Sequence, residues 1–305
     1  MHEGRSMTPS AADPSETRAA FERSLGDVRP KLHRYCARMT GSVIDGEDVV
    51  QDALIKAINA FPNAGSIADI DGWLFRIAHN AALDFLRRRR RLDGMHADEK
   101  LEMIAALTNP VSDLEAAATS LRTFMRLPVT QRSCVILMDV LGYSLEEIST
   151  VTGTSVPAVK AALNRGRTRL RELANEPEDL PVPALAEPER LLLTRYVDRF
   201  NARDFDAVRD MLADEVRLEL VNRMRMNGKR EVGRYFHNYS DVDDWHFVPG
   251  LVDRHPALLV RDPRDTSAVP AYFVLLEWEG DKLTNIRDFR HALYAIEGAE
   301  VVLAG

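Results

Sequence analysis

Two hydrophobic rhythms divide the chain: apolar residues recur at helical spacing up to about residue 174, and alternate with polar ones beyond about residue 210. Val49, Ala53, Leu54, Ile55, Ala57 and Ile58 form one helical stripe. Asp45, Glu47 and Asp48 open it, where the helix dipole favours negative charge, and Phe61-Pro62-Asn63-Ala64-Gly65 breaks it. A second helix, from about Asp69, carries Trp73, Leu74, Ile77, Ala78, Ala81 and Phe85 on its apolar side and ends in Arg87, Arg88, Arg89, Arg90 and Arg91. Thr130-Gln131-Arg132 starts another helix, which Gly142 closes. Ser144 and Glu147 make a capping box for the next helix, and Thr152-Gly153-Thr154 is a turn. Ser155 caps a last helix with Pro157 in its first turn.

Pro177, Pro181, Pro183 and Pro188 mark a linker. Leu191–Asn201 and Phe205–Leu212 then read as short helices, the second capped by Asp204. Strand patterns follow at Val216–Leu220, Trp245–Val252, Leu258–Arg261, Ala271–Trp278 and Leu283–Phe289. Helices followed by a curved antiparallel sheet predict an α+β domain. The chain is therefore read as multidomain: a disordered leader (1–15), two all-α domains (16–92 and 113–174) joined by a connector (93–112), a linker (175–188), and an α+β domain (189–305).

Composition narrows the function. A net charge of −7 excludes a broadly basic nucleic-acid coat, so any DNA contact uses local patches. Two exist: Arg87 to Arg91, and the run Lys160, Arg165, Arg167, Arg169 and Arg171. Cys36 and Cys134 lack metal spacing, which predicts a reduced, cytoplasmic protein without metal or cofactor. No apolar run approaches the roughly 20 residues that span a bilayer, and no export signal is evident.

The turn at Thr152–Thr154 joins two helices as in a helix-turn-helix. On the second of them Lys160, Asn164 and Arg167 share one face, opposite Val159, Leu163 and Leu170. Such a face suits phosphates and base edges of a duplex. Trp73 and Phe75, with Asn80, Asp84 and the arginine run, suit unpaired bases that stack on rings. The acidic stretch Asp45–Asp52 has the opposite sign and suits a basic protein partner.

Three stretches together, DGEDVVQDALIKA (45–57), GWLFRIAHNAALDFLRRRRR (72–91) and the helix-turn-helix region from Leu127 to Leu173, resemble a bacterial RNA polymerase sigma factor of the extracytoplasmic-function type. The resemblance implies that Asp45, Asp48, Gln51 and Asp52 contact the β′ clamp helices of core polymerase. It implies that the loop around Phe61–Ile70, with Trp73, Asn80, Asp84 and the arginines, captures the opened −10 strand. Ser155, Val156, Pro157, Lys160, Asn164, Arg165 and Arg167 would read the −35 element. The third block resembles the SnoaL-like, ketosteroid-isomerase-like cone fused to some sigma factors of this type. It keeps only Met226-Asn227-Gly228-Lys229 of an Asp-Gly-Gly-Gly-Lys signature. Its candidate pocket groups are Tyr196, Trp245, His246, Tyr272, Trp278 and Asp288. The short linker predicts a cone held near the DNA-binding helix, modulating the sigma domains and open to a small-molecule ligand or protein regulator. The rival readings are a ligand-responsive helix-turn-helix regulator acting without polymerase, and a sigma factor whose cone is also an enzyme.

Overall fold

The computed structural model describes residues 14–65, 67–92, 120–174, 176, 184–240, 242–265 and 269–304. The connector 93–112, the leader up to residue 13, and Pro177, Pro181 and Pro183 of the linker lie outside these residues. The first helical unit comprises α1 (Pro14–Thr40), α2 (Val43–Ala60) and α3 (Ile70–Leu92). Gly46 lets α1 and α2 cross closely, for a Cβ there would lie 2.6 Å from the Ala37 backbone. Ser42 caps α2, its hydroxyl accepting from the N–H groups of Ile44 and Asp45. The apolar stripe of α2 is split: Val49, Ala53, Leu54 and Ala57 are buried, whereas Ile55 and Ile58 are exposed.

The second helical unit comprises α4 (Leu121–Met125), α5 (Val129–Val135) with a π-helical continuation at Ile136–Val140, α6 (Leu145–Thr152) and α7 (Val156–Ala174). Ser144 and Glu147 make both bonds of the expected capping box, and Gly153 ends α6 at a φ of 68°, a left-handed angle natural to glycine. The two units share one hydrophobic core that runs from Phe21 to Leu173. Within it the rings of Phe75 and Tyr143 lie 5.0 Å apart. The buried Arg132 ties the units together: its guanidinium donates to the carbonyls of Met39 (2.6 Å), Met125 (3.1 Å) and Leu127 (2.9 Å).

The C-terminal unit contains α8 (Glu187–Asn201), α9 (Phe205–Asp210), β1 (Leu212–Leu220), β2 (Met224–Asn227), α10 (Lys229–Tyr235), α11 (His237–Ser240), β3 (His246–Val252), β4 (His255–Arg261), β5 (Tyr272–Glu279), β6 (Lys282–Asp288) and β7 (Val301–Leu303). Pro188 lies in the first turn of α8, where its missing N–H has no partner to lose. The sheet order is β2-β1-β6-β5-β4-β3-β7. The antiparallel expectation holds except at β1 and β6, which pair in parallel, so the sheet is mixed. The long excursion between them permits this, because parallel neighbours need a crossover rather than a hairpin. The α8 and α9 side of the sheet forms its own core, the interior of an α+β cone.

This cone does not sit beside α7. It packs on the first unit and on α4, through an apolar cluster joining Ala37, Val43, Ile44 and Leu121 to Val252, Leu259, Phe273, Phe289, Ala292 and Ala295. A short linker limits distance but not direction, and the apolar patch around Val43 supplies the direction.

Replacing Arg132 by Met leaves buried carbonyl acceptors without donors and should destabilise the chain by about 3 kcal/mol; a urea-unfolding loss below about 1 kcal/mol would contradict the staple. Burial lowers His33 and His79 to about 4. The folded state then binds fewer protons than the unfolded one between roughly pH 4 and 6.5, so stability is complete above that window and falls as pH drops through it. The thermal midpoint should fall between pH 7.5 and 5.5, and His33→Gln should flatten that slope; an unchanged slope would refute the assignment.

Candidate nucleic-acid interface

On α7, Ser155, Pro157 and Lys160 are exposed, and Val156, Asn164 and Arg165 are half-buried. The Ser155 hydroxyl accepts from the Ala158 N–H at 3.4 Å, so the helix start is capped as expected. Lys160 projects freely to solvent on the same turn. Val159, Leu163 and Leu170 are buried against α5 and α6. Arg167 departs from the expected reading face. Its Nε donates to Asp139 at 2.9 Å, its Nη2 pairs with the other carboxylate oxygen, and the Asp139 side chain is fully buried. The fork that would reach a phosphate is committed to holding α7 on the π-helical turn. Asn164 and Arg165 instead border a groove with Gln131 and Arg169.

On α3 the arginine run is exposed, as are Asn80 and Asp84. Trp73 is half-buried and lies 6.2 Å from Phe21. Phe61, at the head of the following loop, stacks on Phe21 at 3.9 Å. Phe75 cannot stack on a base, because it is fully buried against Tyr35 and Tyr143. Helical spacing placed it two positions from Trp73 and gave no hint that the second helical unit covers that side. The run is also not bare: Arg87 pairs with Asp84 (3.0 Å), Arg88 with Asp52 (3.6 Å) and Arg89 with Asp45 (2.8 Å). Such exposed pairs contribute roughly 0–1 kcal/mol each, so phosphates can displace them.

The acidic face of α2 meets the cone. Asp48 accepts from Arg287 Nη2 at 2.6 Å, and Gln51 donates to Glu219 Oε1 at 2.9 Å. Arg287 also lies 3.3 Å from Glu219 and over the Phe289 ring. Glu47, only 1% exposed, pairs with Arg29 of α1 and accepts from Tyr294 Oη at 3.2 Å. Arg29 Nε donates to the same hydroxyl at 2.7 Å, and the Tyr294 ring meets His33 edge-on. Asp253 accepts from the Val43 N–H at 2.6 Å, putting a carboxylate of the cone at the start of α2. Sequence reasoning missed Glu47, Arg29, Tyr294, Glu219, Arg287 and Asp253 as a group. The contacts across to the cone join residues 168 to 265 positions apart, and no local pattern marks them.

Inside the cone, Asp288 is fully buried and accepts from Tyr239 Oη at 2.7 Å and the Arg290 N–H at 2.8 Å. Burial pushes its carboxyl up from the ordinary value. Tyr196 lines the same space, with Tyr235 and Tyr239, which the sequence did not single out. The remaining void is about 10 Å³, room for one water at most. Trp245 packs among Phe200, Tyr239 and Phe247, and Tyr272 is buried beside them. Trp278 is half-buried 6.3 Å from Tyr196 on the far side, and His246 is exposed. The six candidate residues therefore do not form one pocket: aromatic packing fills the space between them. Among the described residues, no helix is long and apolar enough to cross a membrane, and no three His, Cys, Asp or Glu side chains group to hold a metal.

Residues 26–92 match the family model of Sigma-70 region 2, and residues 121–170 that of Sigma-70, region 4. The chain is similar to the ECF RNA polymerase sigma factor SigM of Mycobacterium tuberculosis (strain ATCC 35801 / TMC 107 / Erdman), with 31% identity over 172 residues, 56% of this chain and 86% of the relative. It is 29% identical over 231 residues to the ECF RNA polymerase sigma factor SigG of Mycobacterium tuberculosis (strain CDC 1551 / Oshkosh), 67% of this chain and 62% of the relative. Among solved structures, that of the Mycobacterium tuberculosis extracytoplasmic function sigma factor SigJ covers 90% of this chain and 95% of its own at 18% identity and a TM-score of 0.33. A putative ketosteroid isomerase from Kribbella flavida DSM 17836 covers 33% of this chain and 76% of its own at 22% identity and a TM-score of 0.26. With both sigma regions matched in order and SigM covered over 86% of its length, the chain belongs to the extracytoplasmic-function RNA polymerase sigma factors.

Proposed function

We propose that this sigma factor binds core RNA polymerase, reads −35 and −10 promoter elements and helps to open them, and that its cone holds it in a closed resting state. The observation that carries the closed state is the contact of Arg287 and Glu219 with Asp48 and Gln51. Two residues proposed to meet the β′ clamp helices are thereby engaged by the chain's own C-terminal domain. Asp45 and Asp52 of the same set are engaged by Arg89 and Arg88.

Size gives a second argument. Elements centred about 25 base pairs apart are about 85 Å apart along B-DNA at 3.4 Å per pair. Two helical units sharing one core of roughly 160 residues have a radius of gyration near 15 Å, hence a diameter of about 40 Å. Region 2 and region 4 packed on each other, with Phe75 on Tyr143, cannot reach both elements at once. Promoter binding therefore requires the shared core to part, and core polymerase, by binding the separated form, supplies the free energy. A regulator acting without polymerase would leave the α2 acids and the α3 arginines without a purpose. An enzymatic cone would need space beside Asp288, where about 10 Å³ remains.

The double substitution Arg287→Ala and Tyr294→Ala should loosen the cone and raise affinity for core polymerase several-fold, read by fluorescence anisotropy of labelled sigma factor; lower or equal affinity would refute the shielding. On α7, Lys160→Glu should weaken −35 recognition by the holoenzyme and reduce its salt slope by about one, without a change in thermal midpoint. Arg167→Ala should instead destabilise the free protein by roughly 3–5 kcal/mol, since it strands the buried Asp139. An Arg167→Ala protein of full stability with lost promoter binding would restore Arg167 to the reading face.

A further inference from the structure

We propose that the cavity where the three domains meet is a binding site for a small polyanion, one that holds the chain closed. The cavity has a volume of about 840 Å³, within the range of small-molecule sites. Its walls come from the turn between α1 and α2, from α4, and from the β3–β4 turn of the cone, with Arg89 of α3 at one side. No single domain encloses it.

Charge selects the ligand. Arg38, Arg89, Arg122 and Arg254 line the cavity against Asp45, Asp253 and Glu300, four cations to three carboxylates. The carboxylates are occupied. Asp45 pairs with Arg89 at 2.8 Å, Glu300 pairs with Arg122, and Asp253 accepts from the N–H groups of Val43 (2.6 Å) and Glu300 (2.9 Å). Arg254 is exposed and, among the described residues, has no hydrogen-bond or ion-pair partner. An anion entering here meets an uncommitted guanidinium beside Arg89 and Arg122, held in ion pairs, and Arg38, which donates to the Arg34 carbonyl at 3.2 Å. Guanidinium forks match the geometry of phosphate and carboxylate oxygens.

The backbone fixes one wall of the cavity. Asp253 and Arg254 lie consecutively in the left-handed region, at φ 46° and 69°. That pair of angles is what a two-residue type I′ hairpin between β3 and β4 requires, its twist matching that of the flanking strands. Here the Asp253 carboxylate is pinned by two backbone N–H groups from different domains, which sets Arg254 and His255 on the cavity wall.

The sign of the effect follows from where the walls come from. A ligand that touches three domains binds only while they are together, and so favours the closed state by RT ln(1 + [L]/Kd). This step rests on the closed state being the resting one; binding itself does not.

Isothermal titration of the full chain with sodium pyrophosphate, and separately with citrate, at fixed ionic strength in chloride tests the site. Pyrophosphate should bind saturably at one site, and the citrate arm distinguishes a phosphate ligand from a polycarboxylate. Arg254→Glu should weaken binding at least about tenfold, the loss of one charge-assisted contact, and Arg254→Gln should weaken it less. Because Arg254 is exposed, the thermal midpoint in chloride should not move. Absence of saturable binding by either anion, or equal binding by Arg254→Glu, overturns the site. If binding and its Arg254 dependence hold, pyrophosphate should also weaken association with core polymerase. Binding without that effect keeps the site and overturns the closed-state reading instead.

Discussion

A carboxylate with 1% exposure constrains everything around it. Glu47 sits in α2 at the point where α1 crosses it, next to Gly46, which allows that crossing. A buried charge is stable only if paired and hydrogen-bonded. Arg29 of α1 supplies the pair, and Tyr294 of the cone bridges both by accepting from Arg29 and donating to Glu47. The first helical unit and the cone thus close one polar network, and the position of α2 is fixed from both sides. Breaking the network with the cone still docked would strand a charge. Undocking the cone hydrates Glu47 instead, so the penalty for opening is small by comparison.

The same asymmetry runs through the interface. Its polar members are carboxylates and guanidiniums that water solvates well on separation, such as Arg287 with Asp48 and Arg34 with Glu297. Its apolar part is a limited cluster in which, among the described residues, the helical units contribute the buried Ala37, Val43, Ile44 and Leu121. A permanent interface would bury more apolar surface and fewer charges. This interface has the composition of one that opens, as the proposed transfer from cone to polymerase requires.

What the sequence made legible divides along the distance between partners. The helix-turn-helix was readable because its signals are local: Ser144 with Glu147, Gly153, and Ser155 with Pro157 each act within four residues. The strands of the cone were readable from alternation, apart from β2 and β7, whose four and three residues are too short to show a period. Residues whose roles depend on distant partners were misread. Arg167 looked like a member of a basic face, but its Asp139 partner lies 28 residues earlier in the chain. Phe75 looked like a neighbour of Trp73 until Tyr143 covered it. The acids of α2 were read as a docking face for a basic partner, and charge pattern alone could not say that the chain's own Arg287 meets them.

Net charge acquires a mechanical meaning from these pairs. The arginines of α3 and the acids of α2 neutralise each other across a helix pair, and Arg287 draws on the same acids from the cone. Each exposed pair is weak, so none commits the protein. Together they place carboxylates beside the basic run. Under the proposed docking of basic polymerase helices on the α2 acids, the same event that separates the cone also frees Arg88 and Arg89. In that proposal, docking to polymerase and exposure of the arginine run are coupled through shared carboxylates on one helix, with no need for a conformational signal to travel between them.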